Sequence, residues 1–268
     1  GARTRIELRG GPLQPTQQPS RREPRDQLDA LRVTAQLLVQ GRAVLRGEAS
    51  GLTGHQGRPE RIDPAAAERG TCVGQLGAQH HRQRDVLLSV LRNQNARGDW
   101  PQAFDFLPPL AESGQQDAHG DVLYWPVLAV GDYLRATGDR SLLTEGVPFV
   151  GDGGLTPPAS VEDHLRRALD RIAEVRVPGT ALPAYGHGDW NDSLQPADPH
   201  LAARLVSTWT TVLLVTALRS LADGLESCGA GADLVTRARE AADAAHAAIQ
   251  QDLLVDGVLP GYVLLHDD

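Results

Sequence analysis

The amino-acid sequence predicts an all-α fold. Apolar residues recur at intervals of three and four positions in several segments between residues 84 and 254, whereas stretches of alternating polar and apolar residues are almost absent. The first spacing places apolar side chains on one face of a helix, and the second would be needed for a half-buried strand. With 268 residues, of which 41% are hydrophobic, the chain can bury a sizeable core.

The N-terminal third lacks this helical pattern. Residues 1–27 are rich in Arg, Gln, Pro and Gly, residues 28–45 can form one amphipathic helix, and residues 47–77 have no apolar face. We therefore divide the chain into a partly irregular N-terminal segment, residues 1–83, and a helical domain, residues 84–268.

Helices are predicted across the second segment by their apolar spacing and by the residues at their ends. Pro126 fits the first turn of one helix and Gly138 its C-terminal end, while Ser160 begins another with a capping-box-like sequence. The predicted helices cover residues 84–94, 123–136, 160–178, 201–225 and 234–254. Residues 257–265 are predicted to be extended instead.

The stretch from Tyr185 to Pro196 (YGHGDWNDSLQP) has the composition of a ligand-binding loop. Its glycines allow the backbone to approach a ligand closely, and Trp190 offers a flat apolar face of the kind on which a sugar ring stacks. Asp189 and Asp192 flank this indole, and either could protonate a glycosidic oxygen. The alternative is an Asx-rich surface turn with one packed tryptophan.

Two further motifs precede this loop. In GDWPQ, residues 98–102, the proline disfavours a helical backbone at Trp100, so this indole is predicted on an extended loop that faces a ligand; the alternative is that it packs beneath the loop. In HGDVLYWP, residues 119–126, His119 and Asp121 precede a predicted helix, whose dipole favours an anionic group there. The alternative for Asp121 is a simple helix cap.

These three motifs, in this order, resemble the family-94 glycoside phosphorylases and, within them, the branch that acts on 1,2-β-oligoglucans. The resemblance covers residues 93–268 and is poor before them. It implies that the helical domain is part of an (α/α)6 barrel whose loops converge at one mouth. It also implies that Asp192 is the general acid. The substrate-binding residues that it implies are Asp99, Trp100, Gln102, His119, Asp121, Asp189 and Trp190.

The reaction implied by the resemblance is an inverting phosphorolysis of β-linked glucan. Inorganic phosphate, itself an anion, would attack the anomeric carbon without a general base while the acid protonates the departing oxygen, and α-glucose 1-phosphate would form without any cofactor. One alternative is an inverting hydrolase in which Asp121 or Asp189 activates water. Another is an inactive fragment: family members are several times longer, and the absence of Met and Lys also suggests a fragment. By the resemblance, the phosphate-binding residues would fall after Asp268.

Net charge, apolar segments and the spacing of Cys and His residues indicate which partners, which location and which metal sites the chain can have. The net charge of −8 disfavours nucleic acid and anionic membranes, whereas a neutral oligosaccharide together with phosphate fits the resemblance, which is also compatible with a homodimer. The longest apolar window, residues 209–218, is too short to span a bilayer and no leader opens the chain, so we predict a cytoplasmic protein. Cys72, Cys228 and the nine histidines show no metal-ligand or disulfide spacing, so no metal is expected.

Overall fold

The computed structural model describes residues 3–5, 80–103, 118–191, 196 and 198–266. The chain divides into two compact units, one formed by Gly1–Gly11 with Gln83–Asp268 and the other by Pro12–Arg82. The helix predicted over residues 28–45 lies outside the described residues. All three motifs belong to the first unit.

The described part of the chain is mostly helical, which confirms the predicted fold class in its coarse form. Helix α1 comprises residues 80–91. The later α-helices are α2 (Tyr124–Thr137), α3 (Val161–Glu174), α4 (Pro199–Arg204), α5 (Thr208–Ser227) and α6 (Ala232–Ala248). A 3₁₀ turn, Arg140–Thr144, follows α2, and a π-helical turn, Ile249–Leu253, continues α6. No helix in these described ranges is both long enough and apolar enough to cross a membrane.

Short antiparallel strands accompany the helices. They are β1 (Arg3–Arg5), β2 (Gly146–Val147), β3 (Val150–Gly151), β4 (Gly154–Leu155), β5 (Ala159–Ser160), β6 (Leu205–Ser207) and β7 (Tyr262–Leu265). Strand β7 lies between β1 and β6 in a three-stranded sheet, while β2 pairs with β5 and β3 with β4. The extended tail predicted at residues 257–265 therefore contains β7, which two neighbouring strands hold by backbone hydrogen bonds.

The single long helix predicted over residues 201–225 is wrong, because the chain forms two helices there. Helix α4 ends at Arg204, residues Leu205–Ser207 extend as β6 against β7, and α5 begins directly after them. The Ser207 side chain accepts a hydrogen bond from Thr210 N and so starts the second helix as its N-cap. The apolar residues of β6 continue the helical spacing, so the apolar pattern alone does not reveal the break.

Helix α5 packs against both α2 and α6. Where α5 meets α2, the two backbones are in direct contact. A Cβ atom added at Gly131 would lie 2.4 Å from the carbonyl carbon of Ser220, and one at Gly224 would lie 2.4 Å from the Gly131 oxygen, so only glycine fits at these two positions. Helix α6 meets α5 with small alanine side chains that are fully buried. This close packing fixes α5 against its two neighbouring helices.

Candidate functional site

The HGDVLYWP and YGHGDWN segments are in direct contact. His119 and Gly186 form an antiparallel bridge. Next to it, Gly120 N donates a hydrogen bond to the Gly188 carbonyl oxygen at 2.9 Å. A Cβ atom at Gly120 would lie 2.8 Å from the Tyr185 oxygen. One at Gly188, whose φ is +143°, would lie 3.1 Å from the His119 ring, so both positions require glycine.

The GDWPQ motif joins the same group of loops through its polar side chains. Gln102 Oε1 accepts a hydrogen bond from His119 N at 2.8 Å. Asp99 Oδ1 accepts one from Arg171 Nε at 2.6 Å, which ties the motif to α3. Two of the residues predicted to bind substrate, Asp99 and Gln102, therefore use side-chain atoms to hold the loops together.

Trp100 is packed beneath its loop. Its side chain is only 3% exposed, and Nε1 donates a hydrogen bond to the Val90 oxygen of α1 at 2.9 Å. Gly98, with a φ of +101°, brings the loop so close to α3 that a Cβ atom there would lie 2.4 Å from the Arg167 oxygen. The Trp100 backbone is non-helical, as predicted, and the ring packs beneath the loop, as in the stated alternative. Trp100 also contributes to the wall of a cavity beside the motifs, and its part in substrate binding stays a prediction.

Asp189 is almost completely buried, with 1% of its surface exposed. Its Oδ2 accepts hydrogen bonds from Ser207 Oγ at 2.6 Å and Thr210 Oγ1 at 3.3 Å. Its Oδ1 accepts from Asn191 N at 3.0 Å and from the Tyr185 hydroxyl at 3.4 Å. Burial raises the pKa of Tyr185, and the Asp189 charge adds to this, so the hydroxyl stays protonated and can donate. Asp189 thus fastens the loop to the N-terminal turn of α5.

Asp121 lies in the turn before α2 and is 4% exposed. Helix α2 begins at Tyr124 without a side-chain cap, so the alternative of a simple helix cap at Asp121 is not what the structure shows. Its Oδ2 accepts a hydrogen bond from Trp125 Nε1 at 3.1 Å instead. Burial raises the pKa of Asp121, the Trp125 hydrogen bond opposes this, and the nearby Asp189 charge adds to it. Two buried carboxyl groups therefore influence each other where the motifs meet.

Asp121→Asn is expected to stabilise the folded chain at neutral pH. Because burial raises the folded-state pKa of Asp121 above that of the unfolded chain, the unfolded state binds fewer protons between the two values, and stability falls as the pH rises through them. Asparagine keeps an oxygen for Trp125 Nε1 and carries no charge, so the variant escapes this loss. Thermal unfolding at pH 7 should give a higher Tm than the parent, and the difference should shrink towards about pH 4.

Asp152→Asn is the matched control for this experiment. Asp152 is exposed, so the substitution removes the same charge without relieving burial and should leave the Tm at pH 7 close to that of the parent. Equal Tm values for Asp121→Asn and the parent at both pH values would contradict the raised pKa of Asp121.

Three tryptophans lie in a row beside the joined motifs. Trp190 is 62% exposed, and its ring centroid lies 5.6 Å from that of Trp209. The Trp209 centroid lies 6.0 Å from that of Trp125. The exposed face of Trp190 suits a stacked sugar ring, as the sequence predicts. Trp209, Ser207 and Thr210 are not among the predicted site residues, although the hydroxyl-rich STWTT run would have indicated them if the start of α5 had been placed correctly.

Asp192, the predicted general acid, lies outside the described residues, as do residues 193–195 and 197. A cavity of about 1250 Å³ lies next to the motifs, and its wall includes Asp99, Trp100, His119, His187 and Pro196. Among the described residues, no three His, Cys, Asp or Glu side chains come together so that they could hold a metal ion. The assignment of Asp192 as the acid stays a prediction.

Comparison with known proteins connects these loops to one family. The catalytic-domain model of the Glycosyl hydrolase 94 superfamily matches residues 84–258. A 1,2-beta-oligoglucan phosphorylase of Listeria innocua is 38% identical over 143 residues, which is 52% of this chain and 13% of that protein. A cellobionic acid phosphorylase of Neurospora crassa is 30% identical over 175 residues, which is 63% of this chain and 21% of that protein.

A further relative shares part of the same region. The cyclic beta-(1,2)-glucan synthase NdvB of Rhizobium meliloti is 28% identical over 151 residues, which is 51% of this chain and 5% of that protein. The chain therefore spans less than a quarter of the length of each of these three relatives.

Proposed function

Because the chain belongs to the glycosyl hydrolase 94 superfamily, we propose that it forms part of an inverting glycoside phosphorylase that cleaves β-linked glucans with inorganic phosphate as its second substrate. The observation that carries this proposal is the anchored loop at residues 185–191, in which buried Asp189 precedes exposed Trp190. Trp190 stacks on a glucosyl ring, and Asp192 protonates the departing glycosidic oxygen. Phosphate attacks the anomeric carbon, and α-glucose 1-phosphate is the product.

An inverting hydrolase on the same loops would need a general base that reaches a water molecule. Asp189 is 1% exposed and its two oxygens already accept hydrogen bonds from the protein. Asp121 is 4% exposed, and burial raises its pKa, which disfavours the ionised form that a general base requires. Their burial supports phosphorolysis, in which the nucleophile is an anion from the start.

We also propose that the helices from α1 onward are part of an (α/α)6 barrel, with the oligosaccharide and phosphate bound at the mouth formed by the motif loops. Each motif lies at the end of a helix: GDWPQ follows α1, HGDVLYWP leads into α2 and YGHGDWN follows α3. The hydrogen bonds Gln102–His119 and Gly120–Gly188 join the three loops, as convergence at one mouth requires.

We propose that the substrate is a β-1,2-linked glucan. Two of the relatives are a 1,2-beta-oligoglucan phosphorylase and a cyclic beta-(1,2)-glucan synthase, and the first has 38% identity over 143 residues. The neutral sugar and the acidic chain, with its net charge of −8, do not repel each other.

The reaction is tested by incubating the full-length protein with sophorose-type glucans in the presence of phosphate or of sulfate at equal ionic strength. We expect α-glucose 1-phosphate with phosphate and no cleavage with sulfate. Release of free glucose at the same rate in both would show a hydrolase instead. Phosphorolysis of cellobiose but not of the β-1,2 oligomers would overturn the linkage and leave the reaction class standing. The 268-residue chain, assayed in parallel, shows whether these residues suffice.

A further inference from the structure

Within the described ranges, Trp190 is little covered for a residue that presents one face to a sugar. Its indole is 62% exposed. Among the described residues, its one aromatic neighbour is Trp209, with centroids 5.6 Å apart and rings tilted by 47°. An exposed indole with two rotatable side-chain bonds would otherwise sample several orientations.

Trp209 is itself firmly placed. It lies in the first turn of α5, where its neighbours Ser207 and Thr210 hydrogen-bond to the Asp189 carboxylate. Its ring also contacts Trp125, with centroids 6.0 Å apart, and Trp125 Nε1 donates to Asp121 at 3.1 Å. The first turn of α5 therefore contacts two consecutive loop residues, the carboxylate of Asp189 and the indole of Trp190.

We propose that Trp209 is a positioning residue: its indole sets the orientation of Trp190 and thereby the affinity of the site for a glucosyl ring. This inference rests on the proposed function in that Trp190 contacts the sugar. Trp209 acts through Trp190 and needs no contact with substrate. Trp125 and its hydrogen bond to Asp121 keep Trp209 from rotating away.

The orientation is tested by ¹⁹F NMR of the chain labelled with 5-fluorotryptophan. The chain contains four tryptophans, so four resonances are expected, each assigned by a Trp→Phe variant. In Trp209→Leu, the Trp190 resonance should move towards that of solvent-exposed fluorotryptophan and become narrower, because the indole tumbles more freely. In Trp209→Phe, which keeps an aromatic ring, it should stay near its original position. The buried Trp100 is the internal control and should not move.

The effect on sugar binding is measured by titrating the same variants with sophorose. Loss of one aromatic contact should weaken binding by about 2- to 12-fold in Trp209→Leu, and Trp209→Phe should restore most of it. In the full-length enzyme the same loss should raise KM while changing kcat less, since the acid is untouched.

An unchanged Trp190 resonance in Trp209→Leu overturns the proposal. If Trp209→Leu does not fold, Trp190→Leu provides the test, because a substitution at a 62% exposed position leaves the core intact. If the two rings contact each other, this variant must shift the Trp209 resonance. A shifted Trp190 resonance with unchanged sophorose affinity also overturns the positioning role. If neither the parent chain nor the full-length protein binds sophorose, the proposed substrate is wrong, while the NMR comparison still decides whether Trp209 orients Trp190.

Discussion

Asp192→Asn is expected to abolish phosphorolysis in the full-length enzyme without unfolding it. The amide keeps the shape of the carboxyl group but cannot deliver a proton to the glycosidic oxygen. Because a positioned acid contributes roughly 10²–10⁴-fold, kcat should fall by at least that factor, while KM changes less. Steady-state kinetics with β-1,2 glucans and phosphate measure both parameters.

A substrate with an activated leaving group separates loss of the acid from loss of binding. Such a leaving group departs with little protonation, so it should rescue Asp192→Asn. It should not rescue Trp190→Ala, which keeps the acid but loses the sugar platform. Near-normal turnover of Asp192→Asn together with a dead Asp189→Asn would mean that the two carboxylates exchange roles.

Asp198→Asn is the matched control in the same stretch of chain. Asp198 is exposed and its Oδ1 accepts a hydrogen bond from His200 N at the start of α4. Asparagine caps a helix about as well as aspartate, so this variant should retain both stability and turnover. A large loss in this control would show that the loop tolerates no amide at all, and the result at Asp192 would then say nothing about proton transfer.

The helices were the most predictable part of this molecule. The spacing predicts a helix over residues 123–136, and α2 runs from Tyr124 to Thr137, where Gly138 adopts the left-handed conformation of a helix end. The prediction for residues 160–178 likewise captures α3, whose Ser160 side chain accepts a hydrogen bond from Asp163 N. Local signals suffice where apolar spacing and end residues agree.

Contacts between distant segments were not predictable from the sequence. The glycines at positions 120 and 188 indicate that another part of the chain approaches them closely. The neighbouring sequence does not indicate that the two segments approach each other. The break before α5 was missed because β6 is fixed by its partner β7, far along the chain. For the same reason the predicted roles of Asp99 and Gln102 did not include the contacts that their side chains make, whereas packing beneath the loop was an alternative for Trp100.

Asp189→Ala is expected to cost about 2–4 kcal/mol of folding stability and to disable the site at the same time. Its carboxylate is the shared acceptor for the buried hydroxyls of Ser207 and Thr210 at the start of α5, for a buried tyrosine and for a loop amide. Removing it leaves buried donors without partners, which costs the desolvation penalty of each group that cannot find another acceptor. Chemical denaturation of the variant measures the loss. Asp170→Ala, which removes an exposed carboxylate paired with Arg237, should change stability by less than about 1 kcal/mol.

Ser207 and Thr210 distinguish an anchor from a general base at Asp189. Neither hydroxyl is proposed to touch substrate, so if Asp189 only holds the loop, Ser207→Ala and Thr210→Val should reproduce part of the activity loss seen in Asp189→Ala. A double-mutant cycle between Ser207 and Asp189 should then show a coupling of about 1–2 kcal/mol in stability, as expected for a 2.6 Å hydrogen bond to a buried carboxylate.

The pH–rate profile gives the decisive comparison for Asp189. A base that activates water contributes the limb on which activity rises with pH, and that limb would vanish in Asp189→Ala but persist in Ser207→Ala. If Asp189 only anchors the loop, both variants should have lower activity at every pH, and the shape of the pH–rate profile should stay unchanged. We expect the second result, because a carboxylate that is 1% exposed and already accepts hydrogen bonds from Ser207 and Tyr185 is poorly accessible to a water molecule. Loss of the limb in Asp189→Ala alone would instead place hydrolysis above phosphorolysis for this site.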